Sequence, residues 1–146
     1  MSEATEPTAP GDPKWLLAAF GEMGQAEIPG QEANPRIVEY HDTCLLKATS
    51  DEVAWCSAFV NWCMMKVGVP GTASAAARSW CRWGKEVQPQ RGAVAVFKRG
   101  TGWQGHVALV LSIRPGGFIR VIGGNQGDRV SIAVYKLSDM IACRWP

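Results

Sequence analysis

The spacing of apolar residues changes once along this chain, and that change constrains the fold more than any other feature. Up to about Gly84, apolar residues recur at helical spacing, whereas from Gly92 they form short runs separated by turns rich in glycine and proline. The first pattern is typical of amphipathic helices and the second of strands joined by tight turns. Helices followed by an antiparallel meander predict an α+β fold, with N-terminal helices packed on the sheet.

Three helices are predicted in the first half of the chain. The first covers residues 14–24, and the second starts at Pro35, because proline is favoured at the first helical position. The third runs over about residues 55–67 and stops at Gly68. Strands are predicted in the second half, at residues 92–97, 106–113, 118–123, 130–135 and 141–145.

Length and charge limit the class of protein. The chain has 146 residues, which fits one domain with a sizeable core. Residues 1–13 offer no apolar run to bury, so we expect a disordered leader followed by a single domain over residues 14–146. Lysine and arginine total 15 against 13 acidic residues, a net charge of +2. That balance does not indicate a nucleic-acid partner.

Cysteine usage indicates a protein that is made reduced, in a cytoplasm. The five cysteines are an odd number and none lies in a C-x-x-C motif. We expect no signal peptide, because the first residues lack an apolar segment, and no membrane insertion, because no stretch approaches the roughly eighteen apolar residues that a spanning helix needs. A role outside the cytoplasm would therefore require release or delivery by another component.

Cys56 is the candidate nucleophile. It lies where a polar segment ends and the third helix is predicted to begin. The partial positive charge of a helix N-terminus and a nearby imidazole both favour the reactive thiolate, so we expect a lowered thiol pKa. A buried structural cysteine is the competing interpretation. A helix that starts one turn earlier, capped by residues 50–52, would weaken the dipole contribution.

His106 and Asn125 are the candidate partners of Cys56. His106 opens a predicted strand, and it can meet Cys56 at the end of the sheet if the third helix packs on that sheet. Asn125 follows the next strand, where an amide oxygen can accept the imidazole N–H and hold its tautomer. A solvated loop histidine and an ordinary Asn-Gln-Gly-Asp turn are the alternative interpretations.

A zinc site is the other chemistry we considered. His41 and Cys44 are three residues apart, but no second pair with zinc-site spacing follows them. We therefore predict no metal and no cofactor.

Several ordered motifs resemble those of the NlpC/P60 and CHAP superfamily of papain-like cysteine peptidases, and most closely its small phage and prophage peptidoglycan hydrolases. The resemblance covers about residues 14–146. It is carried by Pro-Arg-Ile-Val-Glu-Tyr at 35–40, Trp-Cys-Ser-Ala-Phe-Val-Asn-Trp at 55–62, Ala-Arg-Ser-Trp at 77–80, Val-Phe-Lys-Arg-Gly at 96–100, Gly-Trp-Gln-Gly-His-Val at 102–107, Gly-Gly-Asn-Gln at 123–126 and Arg-Trp-Pro at 144–146.

The resemblance implies hydrolysis of an amide bond in the peptide part of peptidoglycan, by an endopeptidase or an N-acetylmuramoyl-L-alanine amidase. Cys56 would be the nucleophile, His106 the general base and then acid, and Asn125 the orienting residue, with Gln126 and Asp128 as nearby substitutes. The Cys56 backbone N–H is the expected oxyanion donor, because amides at a helix N-terminus point towards developing negative charge. Tyr40 or Asn34 is the candidate second donor.

Substrate contacts are predicted on either side of the nucleophile and the histidine. Trp55 and Trp103 would form the walls of a groove, and Tyr40 and Gln126 are further candidates. Four arginines could meet substrate carboxylates, although scattered arginines are more often solvated: Arg78, Arg82, Arg99 and Arg129.

Two classes of function follow. One is a lytic enzyme, either a phage or prophage endolysin or an antibacterial effector that is injected into rival cells and restrained at home by an immunity protein. The other is a non-catalytic module that binds or assembles cell wall on the same fold.

Overall fold

The computed structural model describes residues 8–28, 33–44, 55–100 and 104–146. Three α-helices precede the sheet: α1 (Lys14–Phe20), α2 (Pro35–His41) and α3 (Cys56–Lys66). A 3₁₀ helix, Ala77–Arg82, follows them, and a second, Leu137–Asp139, precedes the last strand. No helix among these residues is long and apolar enough to cross a bilayer. The predicted order of helices before strands, and with it the α+β class, is confirmed.

Local sequence explains where the helices begin and end. Asn34 caps α2, its side chain accepting a hydrogen bond from the Arg36 backbone N–H at 2.9 Å, with Pro35 at the first helical position. Gly68, at φ +78°, follows α3 in the left-handed conformation that ends helices. The first helix is shorter than predicted, because a turn at residues 21–24 replaces its last residues.

In the described part of the chain, six strands form one sheet in which all neighbours are antiparallel: β1 (Lys85–Glu86), β2 (Val94–Lys98), β3 (Gly105–Arg114), β4 (Phe118–Gly123), β5 (Ser131–Lys136) and β6 (Met140–Trp145). Their order in space is β1-β6-β2-β3-β4-β5. Strands β2 to β5 form the predicted meander, whereas β6 returns to pair with β2 and β1. In the β2–β3 register Phe97 lies opposite His106.

The sheet separates two apolar clusters. One face packs on the helices, and α3 lies between that face and α1 and α2, so all of its first nine residues are buried. The opposite face carries a smaller cluster. On that face Phe97 of β2 stacks on Tyr135 of β5, with ring centroids 5.0 Å apart. Because β3 and β4 separate these strands, the contact requires the sheet to coil strongly.

Part of the predicted leader is held against the domain. The Asp12 carboxylate accepts hydrogen bonds from the Arg91 guanidinium at 2.6 and 3.2 Å, and its pKa is lowered mainly by that contact. This contact ties Asp12 of the predicted leader to the domain, and residues 1–7 lie outside the described residues. The disordered leader stays a prediction. All five cysteines are within the described residues and are free thiols.

Candidate functional site

Cys56 is the first residue of α3, as the sequence predicted. The side chain is 6% exposed, because α3 packs directly on β3. The backbone N–H groups of Val107 and Ser57 are close enough to the thiol to favour its ionised form. Val107 directly follows His106, so the sulfur lies beside the peptide that joins those two residues. The helix-on-sheet packing therefore brings Cys56 to the start of the strand that carries His106.

His106 is held by a glutamine. Its Nε2 lies 2.8 Å from Gln126 Oε1, and the ring is 1% exposed. The Gln126 side-chain amide donates to the Ser131 backbone carbonyl at 2.7 Å, which leaves the amide oxygen facing the ring. Since an amide oxygen can only accept, the proton of the neutral imidazole is on Nε2. Nδ1 is then the unprotonated nitrogen, which is the state that a general base needs.

Asn125 was predicted as the orienting residue, but the structure places Gln126 against the imidazole. Asn125 has a left-handed backbone, at φ +58°, and no hydrogen bond from its side chain to His106 is present. Gln126, which the sequence offered as a substitute, takes that place. Asp128, the other substitute, is exposed and also left-handed, at φ +61°. Both left-handed residues serve the turn between β4 and β5, and only Gln126 extends towards the imidazole.

The electrostatics of the pair also differ from expectation. Burial raises the pKa of the Cys56 thiol, outweighing the hydrogen bonds from backbone amides and the positive charge of Arg99. Burial likewise lowers the pKa of His106 to about 4. The predicted lowering of the Cys56 thiol pKa is therefore wrong for this buried site. Desolvation disfavours both charged forms, so the resting pair is a neutral thiol and a neutral imidazole.

Two residues next to this pair were not assigned a place there from the sequence. The Tyr135 ring lies 5.2 Å from the His106 ring, centroid to centroid. Arg99, just after β2, is exposed, and its charge acts on Cys56, His106 and Tyr135. The sequence indicates Arg99 only as one of four arginines that could bind substrate carboxylates. No sequence signal indicates Tyr135, because its contact depends on the coiling of the sheet.

Two predicted substrate contacts are buried in the core instead. Trp55 is fully buried and donates its indole N–H to Glu27 Oε2 at 2.9 Å. Tyr40 is also fully buried, stacks on Trp55 and donates its hydroxyl to Glu22 Oε1 at 2.7 Å. Neither ring can form a wall of a solvent-filled groove, and the Tyr40 hydroxyl is already engaged. Tryptophan and tyrosine have an apolar ring and one polar atom, which suits them to substrate contacts at a surface. The same rings can be buried when the polar atom forms a hydrogen bond, as it does here.

The other three residues predicted to contact substrate or the oxyanion differ in their surroundings. Asn34, the other candidate second oxyanion donor, uses its side chain to cap α2 and to donate to the Ala26 backbone carbonyl at 2.8 Å. Trp103 lies outside the described residues. Gln126, proposed as a substrate contact, is 7% exposed and is committed to His106 and Ser131.

No three His, Cys, Asp or Glu side chains come together as a possible metal site in the part of the chain that the structure describes. His41 and Cys44, the pair considered for zinc, are both buried. A cavity of about 460 Å³ lies beside the C-terminal half of α3, lined by Asn61, Met65 and Gly68 among others. It contains none of the predicted site residues.

Comparison with known families agrees with the geometry. The CHAP domain matches residues 48–125, more than half of the chain, and the match includes both Cys56 and His106. No curated protein matches the chain. The resemblance inferred from the sequence motifs is thereby confirmed, and the chain belongs to the CHAP domain family.

Proposed function

We propose that this protein hydrolyses an amide bond of the peptide part of peptidoglycan, with Cys56 as nucleophile and His106 as general base and then acid. Gln126, rather than Asn125, is the orienting residue in this proposal. The observation that carries it is the arrangement at the start of β3. A helix-terminal thiol lies beside the His106–Val107 peptide, and the imidazole is tied through Nε2 to an amide oxygen.

Family membership supports the general activity. A CHAP domain indicates peptidoglycan hydrolysis in general, and such domains are typically amidases or peptidases. The finer assignment, to a Cys-His-Gln mechanism in this chain, depends on the contacts around His106.

The chemistry follows from the protonation states. Attack of the Cys56 sulfur on the substrate carbonyl carbon transfers the thiol proton to His106 Nδ1 and forms a tetrahedral oxyanion. The Cys56 backbone N–H, which has no partner within the helix, can donate to that oxyanion. The imidazolium then gives its proton to the leaving amine as the C–N bond breaks. Water, deprotonated by His106, cleaves the thioester and releases the carboxylic acid and the free thiol.

A neutral resting pair is compatible with this sequence. The proton moves during attack, and the positive charge appears on His106 only when a negative charge appears on the oxyanion. Gln126 Oε1 accepts from Nε2 throughout, so it stabilises the imidazolium as well as the neutral ring.

The charge near the pair favours an anionic peptide. Arg99 is exposed, and its electrostatic influence reaches Cys56, His106 and Tyr135. Peptide stems of peptidoglycan carry carboxylates, which a guanidinium can bind in bidentate fashion. We extend the proposal to a lytic role, as an endolysin or an injected effector, in which the protein acts in the periplasm or cell wall after release or delivery.

A non-catalytic wall-binding module is the second candidate. The observation that favours it is the direction of the two pKa shifts, since burial opposes formation of a thiolate–imidazolium pair. In that case binding of peptidoglycan would persist and no bond would be cut.

Substitution of Cys56 separates the two candidates. We expect wild-type protein to release new amines from purified peptidoglycan, and Cys56→Ala to lose this release to background, because alanine has no sulfur with which to form the thioester. Mass spectrometry of the released muropeptides then identifies the bond that is cut.

Cys81→Ala is the matched control, because Cys81 is a partly exposed thiol on the 3₁₀ helix and should leave amine release unchanged. Equal amine release by wild-type protein and Cys56→Ala would contradict the enzymatic proposal and leave the binding module.

A further inference from the structure

Tyr135 lies against the imidazole of His106. The two ring centroids are 5.2 Å apart and their planes are tilted by 34°. Tyr135 also stacks on Phe97, at 5.0 Å and 26°, and Phe97 is the cross-strand neighbour of His106. One side chain therefore contacts both members of a β2–β3 residue pair.

The contact comes from a distant strand. Tyr135 belongs to β5, which pairs only with β4, and β4 lies between β5 and β3. The side chain reaches His106 across the concave side of the coiled sheet. A large flat ring is suited to this distance, and it contributes to the burial of the imidazole.

We propose that Tyr135 is a positioning residue for His106. Its ring supports one face of the imidazole and keeps water away from the hydrogen bond between His106 and Gln126. The proposal rests on the proposed function, in which His106 is the general base.

The two contacts on His106 restrain different motions. The hydrogen bond to Gln126 fixes one ring nitrogen, but it leaves the imidazole free to tilt about the line through that nitrogen. A ring packed on the imidazole face removes that tilt, and aromatic pairs at this separation are mutually attractive. A general base must hold its proton-accepting nitrogen within hydrogen-bond reach of the thiol, so loss of the tilt restraint should lower turnover.

The aromatic ring of Tyr135, and not ionisation of its hydroxyl, restrains the His106 imidazole in this proposal. Burial raises the pKa of Tyr135, so its hydroxyl stays neutral across the range in which His106 titrates. Arg99, after β2, is the charged group that acts on both the imidazole and Tyr135, and Cys56 on α3 acts on Tyr135. Burial is the largest influence on His106 and lowers its pKa to about 4, so exposing the imidazole to water should raise that pKa.

The test follows His106 directly by NMR titration of its imidazole, with His106→Ala to assign the signal. Wild-type protein and Tyr135→Phe, which keeps the ring, should both titrate near pH 4. In Tyr135→Ala the pKa should rise towards the ordinary value of 6.5. In the same variant kcat on peptidoglycan should fall about tenfold, a part of the 10²- to 10⁴-fold that general-base catalysis contributes, while KM changes less.

Val134→Ala is the matched control, because Val134 is the exposed neighbour of Tyr135 on β5 and should change neither quantity. If Tyr135→Ala does not fold, Tyr135→Leu replaces it with the same expected direction.

A wild-type His106 pKa and wild-type kcat in the variant without the ring would overturn the proposal. The titration needs no substrate. A wild-type protein that cuts no bond would therefore overturn the proposed function, whereas a shifted His106 pKa would still support the placement of Tyr135 on the imidazole.

Discussion

The loop after β4 decides which side chain meets His106. Asn125 takes a left-handed backbone, at φ +58°, which asparagine tolerates better than most residues. The next residue, Gln126, is fixed at both ends: its backbone N–H donates to the Arg129 carbonyl at 3.0 Å and its side-chain amide donates to Ser131. Asn125 therefore forms the turn, and Gln126 holds the imidazole.

Gln126→Glu should raise the pKa of His106 above its value of about 4. A carboxylate in place of the amide oxygen favours the protonated ring, by about one pKa unit or more for a contact at hydrogen-bond distance. The acid limb of the pH profile of kcat/KM should move to higher pH accordingly.

Asn125→Gly is the control for this prediction, because glycine adopts the same left-handed backbone without strain and should keep wild-type turnover. If the acid limb of the kcat/KM profile does not shift in Gln126→Glu, or if Asn125→Gly loses turnover, then Asn125 and not Gln126 orients the imidazole.

Among the elements, the close approach of α3 to the end of β4 sets the position of the proposed nucleophile, Cys56. Gly124 follows β4, and a Cβ added there would lie 2.7 Å from both the Phe59 Cβ and the Trp55 ring. Only a glycine lets the backbone come this near to the first turn of α3. The position of Cys56 therefore depends on a residue that makes no contact through a side chain.

Gly124→Ala should destabilise the fold by about 1–3 kcal/mol, the usual cost of an extra methyl group in a packed interior. It should also lower turnover, because α3 must move away from β4 and takes Cys56 with it. Urea unfolding and amine release from peptidoglycan measure the two effects.

Gly21→Ala is the matched control, since its Cβ would meet only the Ala18 and Leu17 carbonyls, at 3.4 and 3.7 Å, which is ordinary contact. Wild-type stability and turnover in Gly124→Ala would show that the position of α3 does not depend on the absence of a side chain at Gly124.

For the whole molecule, the burial of His106 links folding to pH. The folded-state pKa of about 4 lies below the ordinary value of 6.5, so the unfolded chain binds the proton at higher pH. The contribution of His106 to stability is complete above pH 6.5 and is lost as the pH falls towards 4. The shift corresponds to about 3 kcal/mol over that window.

Urea unfolding at pH 7.5 and at pH 4 should therefore show a larger loss of unfolding free energy in the wild type than in His106→Gln, which has no proton to gain at this position. The same pH dependence in both proteins would mean that His106 is accessible to water in the folded state.

The sequence alone was enough to place the two candidate catalytic residues, Cys56 and His106, in the secondary structure. Apolar spacing and the glycine stop predicted a helix from about Trp55, one residue before the observed start at Cys56, and the apolar run after Gly105 predicted a strand that begins near His106. These features are local, because spacing, caps and turn residues act over a few positions along the chain. The motifs around them were sufficient to indicate the family.

Tertiary structure decided what surrounds those two residues. It buried Trp55 and Tyr40, chose Gln126 over Asn125 and brought Tyr135 across the sheet to His106. It also reversed the expected direction of the thiol pKa. These contacts and the thiol pKa depend on residues that are distant along the chain and on the exclusion of water where the helices and the sheet pack together. A local sequence pattern contains no information about either.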